Sequence, residues 1–253
     1  MTDTLYILTR TSGRAEFFRR CRESVKALTW PGDVVHLVHT DDPRDKYVEG
    51  DIIIRGELHG RNMGTAPYNL YNNRLIEAIP GDGWVHIIDD DDEYAAPDVF
   101  ERLLDGAKRD HVQVGHVDRG GGRIWPKYWG EQKSYQSECF CVWTKLARQG
   151  KWWSDKAGDH YYSKQLTKLA AGTQWHDDVL IAQAQDGKNH GKTFDTYEPM
   201  KANKKVWIKM HVNRLRMIGG KLYQMEYKEA EKWESKGYGK ITYKGVEVVV
   251  CTP

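Results

Sequence analysis

The sequence predicts an α/β fold: one domain with a Rossmann-like, mostly parallel central sheet flanked by helices. Three observations predict it. Short apolar runs ("TLYILT", "VVHLVH", "DIII", "WVHII") alternate with longer segments whose apolar residues recur at helical spacing. Three of those runs end in polar clusters, "TRTSGR", "TDD" and "DDDD", as expected where ligands bind beyond the carboxyl ends of parallel strands. Finally, 253 residues, 40% hydrophobic and free of repeats or low-complexity linkers, suffice for one large core.

The elements follow in order. The first strand ends near Thr9 and turns at "TSGR". "EFFRRCRESVKAL" is a helix with Phe17, Phe18, Cys21, Val25 and Leu28 at apolar positions, stopped by "TWPGD". "VVHLVHTDDP" and "DIIIRG" are the second and third strands, and "APYNLYNNRLIEAI" is helical through Leu70, Leu75, Ile76 and Ile79. "WVHIIDDDD" is the fourth strand, and "APDVFERLLDGAKRD" the helix behind it, with Pro97 in its first turn. Beyond residue 111, "HVQVGHVD" and "SECFCVW" are strands and "TKLARQG" a helix. "HDDVLIAQAQ" is expected to open a helix whose dipole favours the acids at its start. "KVWIKMHVNRL" is strand-like, and "YKEAEKWESKGYGKITYKGVEVVV" closes the chain as a charged C-terminal helix and a hairpin.

Composition narrows the class. No apolar run approaches the ~20 residues that span a bilayer, and "MTDTLYILTR" carries no basic leader before a long apolar stretch. Cys21, Cys139, Cys141 and Cys251 form no metal-ligand spacing and are expected to be reduced thiols in a cytoplasmic protein. The net charge of +2 is unevenly spread: residues 200–253 hold 12 Lys+Arg against 5 Glu, an excess of +7 that leaves −5 for the rest. Such a stretch is either a solvated face or a surface for phosphates.

Four adjacent aspartates after an apolar strand need a reason, because like charges repel. A divalent cation supplies one: Mg²⁺ or Mn²⁺ takes one or two carboxylates and fills its remaining positions with water and phosphate oxygens. In an extended or tightly turned segment Asp89 and Asp91 point the same way, because side chains alternate. The plainer alternative is an acidic turn that caps the next helix.

"ILTRTSGRAEFFRRCRESVKAL", "VVHLVHTDD", "NMGTAPYNLYNNRLIEA" and "VHIIDDDDEYAAPD" together resemble the family-two nucleotide-sugar glycosyltransferases, which have the glycosyltransferase-A fold. The likeness covers residues 5 to about 100 in register and extends loosely to about 215. It implies a nucleotide-sugar-binding half at 1–110, an acceptor-binding and catalytic half at 111–215, and a basic extension at 216–253. By resemblance Thr9, Arg10 and Thr11 cradle the nucleobase and Asp41 or Asp42 contacts it. Asn62, Gly64 and Asn69 fit a pattern in which Tyr68 stands where arginine is usual, with Arg61 near enough to compensate. Asp89, Asp90 and Asp91 supply the sugar-nucleotide and metal contacts, with Asp91 and Asp89 on the metal. "KMHVNRLR" implies His211 as a further metal ligand, with Arg214 and Arg216 on the diphosphate. "WHDDVL" implies Asp178 as general base and Asp177 as its neighbour. One base and no second nucleophile imply inversion at the anomeric carbon, with UDP as the expected nucleotide and glucose or another hexose as the sugar.

The expected acceptor follows from "RGGGRIWPKYWGEQKSYQ" and "KWWSDK", which combine cations with aromatic rings: Arg123, Trp125, Tyr128, Trp129 and Trp153. Such rings stack on sugars and on unstacked bases. The pattern also resembles small phage-encoded members that sugar-modify hydroxymethylated pyrimidines in DNA, which would act in the host cytoplasm. Double- or single-stranded DNA is therefore the leading acceptor and a saccharide the second. Two readings of other classes are a nucleotidyltransferase, against which "TRTSGRAEFF" lacks the expected lysine, and a non-catalytic nucleotide- or DNA-binding protein, which leaves the acidic clusters unexplained.

Overall fold

The computed structural model describes residues 2–42, 45–56, 66–118, 123–126 and 136–183, and the backbone of strands at 205–210, 222–226, 239–242 and 247–250. The first half runs β1 (Thr4–Thr11), α1 (Ala15–Lys26), β2 (Val34–Thr40), β3 (Ile52–Arg55), α2 (Tyr71–Glu77, entered through a 3-10 turn at Pro67–Leu70), β4 (Gly83–Ile87), β5 (Asp92–Tyr94) and α3 (Val99–Leu103). There follow β6 (His111–Asp118), β7 (Ile124–Trp125), β8 (Phe140–Trp143), α4 (Thr144–Ala147), α5 (Gly158–Leu169) and β9 (Gly172–Gln183). The last strands are β10 (Lys205–Met210), β11 (Leu222–Glu226), β12 (Gly239–Thr242) and β13 (Glu247–Val250).

Ten strands form the main sheet in the order β13-β3-β2-β1-β4-β8-β6-β9-β5, with β7 on β6. Its centre, β3-β2-β1-β4, is parallel. There Leu5, Tyr6, Ile7 and Leu8 are all buried, because helices and loops cover both faces; that is why β1 is a continuous apolar run and not an alternating one. Gly83 lets β4 begin against β1: a Cβ at that position would lie 2.3 Å from the Thr4 carbonyl oxygen. Helix α1 divides its apolar stripe, with Cys21 and Val25 in the main core and Phe18 in a smaller cluster with Val38, Val48 and Ile53. Among the described residues no helix is long and apolar enough to cross a membrane.

Two expectations need correction, and the structure adds one helix. "HDDVLIAQ" is not the start of a helix but the second half of β9, which lies parallel to β6 and antiparallel to β5. A short apolar run such as "VLIA" fits a buried strand or a buried helix equally well, and the slot between two strands decides. The helix in this region is α5, whose buried Tyr162 and Leu166 are four residues apart; its apolar stripe is narrow, so the signal is weak. Finally, β12 and β13 form no hairpin. β12 joins β10 and β11 in a separate three-stranded sheet, and β13 pairs antiparallel with β3, covering an otherwise unpaired edge of Ile52–Ile54. The expected charged helix before them lies outside the described residues.

Candidate active site at the carboxyl ends of β1, β2 and β4

After β4 the chain turns tightly, with the Asp92 amide donating to the Asp89 carbonyl at 3.2 Å. Along this turn exposure alternates: Asp90 and Asp92 are buried, while Asp89 and Asp91 are partly open. Two arginines from the β1–α1 segment hold the charges. Arg10 Nη2 donates to Asp89 Oδ1 at 2.8 Å. Arg14 pairs through Nη1 with Asp90 Oδ1 at 2.8 Å and through Nη2 with Asp91 Oδ2 at 2.7 Å. The Thr11 hydroxyl donates to Asp90 Oδ2 at 2.7 Å. The quartet thus carries counter-charges from its own chain; sequence reasoning placed Arg10 here but missed Arg14, whose signal is its position in "TRTSGR" at the neighbouring strand end.

The carboxylates diverge in character. Burial pushes Asp90 up to about 7, although Arg14 and Thr11 pull it back. Burial also raises Asp91 against the opposing charge of Arg14. At Asp89 burial acts upward too, but the Arg10 charge and hydrogen bond, with Arg14 behind them, hold it below the usual range. Glu138, fully buried beside Asp89, is raised well above the usual range by burial and by the charges of Asp89 and Asp92. In its protonated form it donates to Asp89.

The rest of the rim is tied to this turn. Gly13, in the left-handed region at φ 64°, turns the chain from β1 into α1. Its amide donates to Asp45 Oδ2 at 2.9 Å, and the Thr40 hydroxyl donates to the same oxygen at 2.8 Å. Asp45, which sequence reasoning missed, thereby joins the ends of β1 and β2. Thr9 is buried and bonded to His36 Nε2 at 2.9 Å, so its hydroxyl serves the core. Asp41 is nearly buried and accepts from the Tyr71 hydroxyl at 3.3 Å, while Tyr71 stacks on His39 at 4.1 Å; Asp42 is buried.

A second segment reaches the site from beyond β8. Arg10 Nη1 donates to Asn69 Oδ1 at 2.6 Å, and Asn69 Nδ2 donates to the Asp155 carbonyl at 2.6 Å. This chain of contacts sets the 152–159 segment beside Asp89. At its end Asp159, in the first turn of α5, is raised by burial and feels both Asp89 and Arg10. Asp159, like Glu138, is an acid near the quartet that sequence reasoning passed over; its signal is "GDHYYSKQL", an acid opening a helix. Tyr68 lies under the Arg10 guanidinium, 5.2 Å from its centre, and Trp153 is half exposed.

Other expected site residues lie elsewhere. Asp178 accepts from Arg102 Nε of α3 at 2.8 Å, and Asp177 is exposed beside it. Gln183 pairs with Asp92 at the rim, five positions further along β9, so Asp178 is roughly 16 Å of strand away. The structure does not bring Asp177 or Asp178 to the acidic turn. Trp125, on β7, packs partly buried against the core, and Arg123 is exposed. Arg61, Asn62, Tyr128, Trp129, His211, Arg214 and Arg216 lie outside the described residues.

Among the described residues no three or more His, Cys, Asp or Glu form a metal-holding group. The partly open Asp89 and Asp91 nevertheless fit a Mg²⁺- or Mn²⁺-type ion, which needs only one or two carboxylates when phosphate and water complete its shell.

No protein-family model and no curated protein sequence matches the chain. Solved structures do. TarS 1–349 of S. aureus in complex with UDP-GlcNAc aligns with a TM-score of 0.55 at 13% identity, covering 80% of this chain and 62% of that one. A second crystal structure of TarS 1–349 aligns at 0.54 and 13% identity, covering 72% of this chain and 61% of that one. The chain has a glycosyltransferase fold. A mannosyltransferase from Pyrobaculum calidifontis in complex with GDP-Man and Mn²⁺ aligns at 0.55 and 13% identity, covering 75% of this chain and 59% of that one. The chain thus spans about three-fifths of each of these three structures.

Proposed function

We propose that the chain is an inverting, divalent-metal-assisted glycosyltransferase that moves a hexose from a UDP-sugar to an acceptor hydroxyl. The observation that carries this reading is the turn after β4: Asp89 and Asp91 are partly open beside Arg10, at the strand ends of a fold shared with structures holding UDP-GlcNAc or GDP-Man. A divalent cation bound there would offset charge on the leaving diphosphate. The chain's own groups do the rest. Asp89 and Asp91 would hold that cation, while Arg10 and Arg14, which pair with the carboxylates of this turn, would add positive charge beside the leaving diphosphate. The acceptor oxygen bonds to the anomeric carbon, the bond from that carbon to the diphosphate breaks, and the diphosphate keeps the electron pair. The acceptor's proton passes to a carboxylate. Asp159 suits that role better than Asp178, because it feels the Asp89–Arg10 pair and burial has raised its proton affinity. The DNA acceptor expected from the sequence rests mainly on residues outside those described; a saccharide acceptor is taken up below.

Thermal unfolding with UDP, GDP or ADP, each with and without Mn²⁺, tests the donor site. UDP with Mn²⁺ at a hundredfold excess over Kd should stabilise by about 2.7 kcal/mol; no shift with any nucleotide removes the proposal. Asp159→Asn should lower kcat by about 10²-fold or more while UDP binding persists, and Asp178→Asn should leave kcat close to wild type. The reverse result returns the base to Asp178.

A further inference from the structure

Resting on the glycosyltransferase reading, the acceptor class can be narrowed. Among the described residues the exposed large apolar side chains are Tyr68, Trp153, Tyr161 and Leu169. Three of the four are aromatic, and all three belong to the two segments that meet beside Asp89. Trp153 and Tyr161 contact each other, with ring centres 5.2 Å apart and planes tilted by 36°. They are 50% and 37% exposed, whereas the adjacent Trp152 and Tyr162 are fully buried and stacked in the core. The buried pair anchors this segment; the exposed pair has no comparable packing role.

The segment is held in place. Asn73 Nδ2 donates to the Trp152 carbonyl at 3.0 Å, and the Trp152 amide donates to Asn73 Oδ1 at 2.9 Å. Asn69 binds the Asp155 carbonyl, and a Cβ at Gly158 would lie 2.5 Å from Asn69 Nδ2, so the contact is close. The two rings are therefore carried on a backbone fixed to the helix that also presents Asn69 to Arg10.

Charge separates the stacking ligands. A pyranose offers an apolar C–H face to a ring and hydroxyl donors at its rim; a nucleic acid brings a phosphate for every base. Beside Trp153 and Tyr161 stand Asp155 and Asp159, whose carboxylates each accept a backbone N–H at 2.8 Å, from Ala157 and His160. Beyond them is the acidic turn, whose two arginines already pair with Asp89, Asp90 and Asp91. The Asp155 and Asp159 carboxylates accept hydrogen bonds from hydroxyls and disfavour an acceptor phosphate placed against them, while Lys151 and Lys156 bracket the same stretch of chain. We propose that Trp153 and Tyr161 form the stacking shelf for an uncharged carbohydrate acceptor, with Asp159 and Asp155 facing its hydroxyls.

The test reads binding, not transfer. An array of neutral glycans, anionic glycans and DNA oligonucleotides with 5-hydroxymethylcytosine is probed with the labelled full chain, UDP and Mn²⁺. Wild type should bind a subset of the neutral glycans. Trp153→Ala and Tyr161→Ala should each weaken that binding tenfold or more with an unchanged UDP-induced thermal shift, which also shows that they fold. Leu169→Ala, at the other end of α5, should bind as wild type. Binding to none of the glycans, to anionic glycans or DNA only, or to neutral glycans with undiminished affinity in both aromatic variants overturns the shelf. Because the UDP shift is read separately, its loss in wild type would count against the donor site and not against the acceptor assignment.

Discussion

Asp90 is 2% exposed and keeps a carboxyl where solvation is lost. Thr11 and Arg14 make this tolerable, one with a hydroxyl proton and the other with a charge. A cation within the chain means that the acidic turn can form without a metal, which the sequence reading did not foresee. It also gives Arg14 a stability role separate from any role toward diphosphate. Replacing Arg14 with Met leaves Asp90 and Asp91 without their partner. Removing one member of a buried pair costs about 3–5 kcal/mol, but Arg14 is 21% exposed and solvent screens part of that. We expect Arg14→Met to lose about 2 kcal/mol, or roughly 4–8 °C in Tm for a chain of this size, and saturating Mn²⁺ to restore part of it. A variant that melts with wild type in metal-free buffer would remove Arg14 from this role. That Asp89 and Asp91 share a side was legible from the period of two; the burial of Asp90 and the identity of its partner were not, because Arg14 and Asp90 are 76 positions apart.

At the scale of elements, the site depends on how α2 receives the segment between α4 and α5. Asn73 imitates a strand neighbour, satisfying both the N–H and the C=O of Trp152. Asn73→Ala removes both bonds and should cost about 2 kcal/mol. Hydrogen exchange should quicken at the amides of 152–158 while those of β1 and β4 keep their protection. Uniform loss of protection would instead mean that the segment and the sheet open together. The elements the sequence predicts well are those with strong local patterns: β1 to β4 and α1 stand where expected. The failures have a common cause. β9 is polar for half its length and apolar for the rest, so its state is chosen by β5 and β6, and α5 has too narrow an apolar stripe to announce itself.

For the whole molecule, two buried histidines tie stability to pH. His86 accepts from the Tyr94 hydroxyl at Nδ1 and donates from Nε2 to the Glu138 carbonyl, at 3.0 and 3.1 Å, which fits the neutral ring. Burial lowers it to about 4, and burial with Arg22 and Lys26 nearby lowers His36 well below its usual value. Both are depressed relative to an unfolded value near 6.5, so the unfolded chain takes up protons first as pH falls. The His86 contribution, about 3 kcal/mol, is complete above about pH 6.5 and is lost between 6.5 and 4, and that of His36 is lost in the same direction as pH falls below 6.5. Acidification also protonates the raised Asp90 carboxyl of the folded chain first, which opposes this loss, so the test is a difference: between pH 7 and pH 4.5, urea unfolding of His86→Gln should lose less stability than that of wild type, and an equal change in both would assign the effect to other groups.

The sequence by itself determined the central parallel strands, the polar rim at their ends and the acidic turn, because each is written in neighbouring residues as a run, a period or a cluster. Only the tertiary structure decided which cations enter the turn, which acid stands near it, and that β13 closes the β3 edge. Those contacts join residues tens to nearly two hundred positions apart, and no local pattern encodes which distant segment will dock.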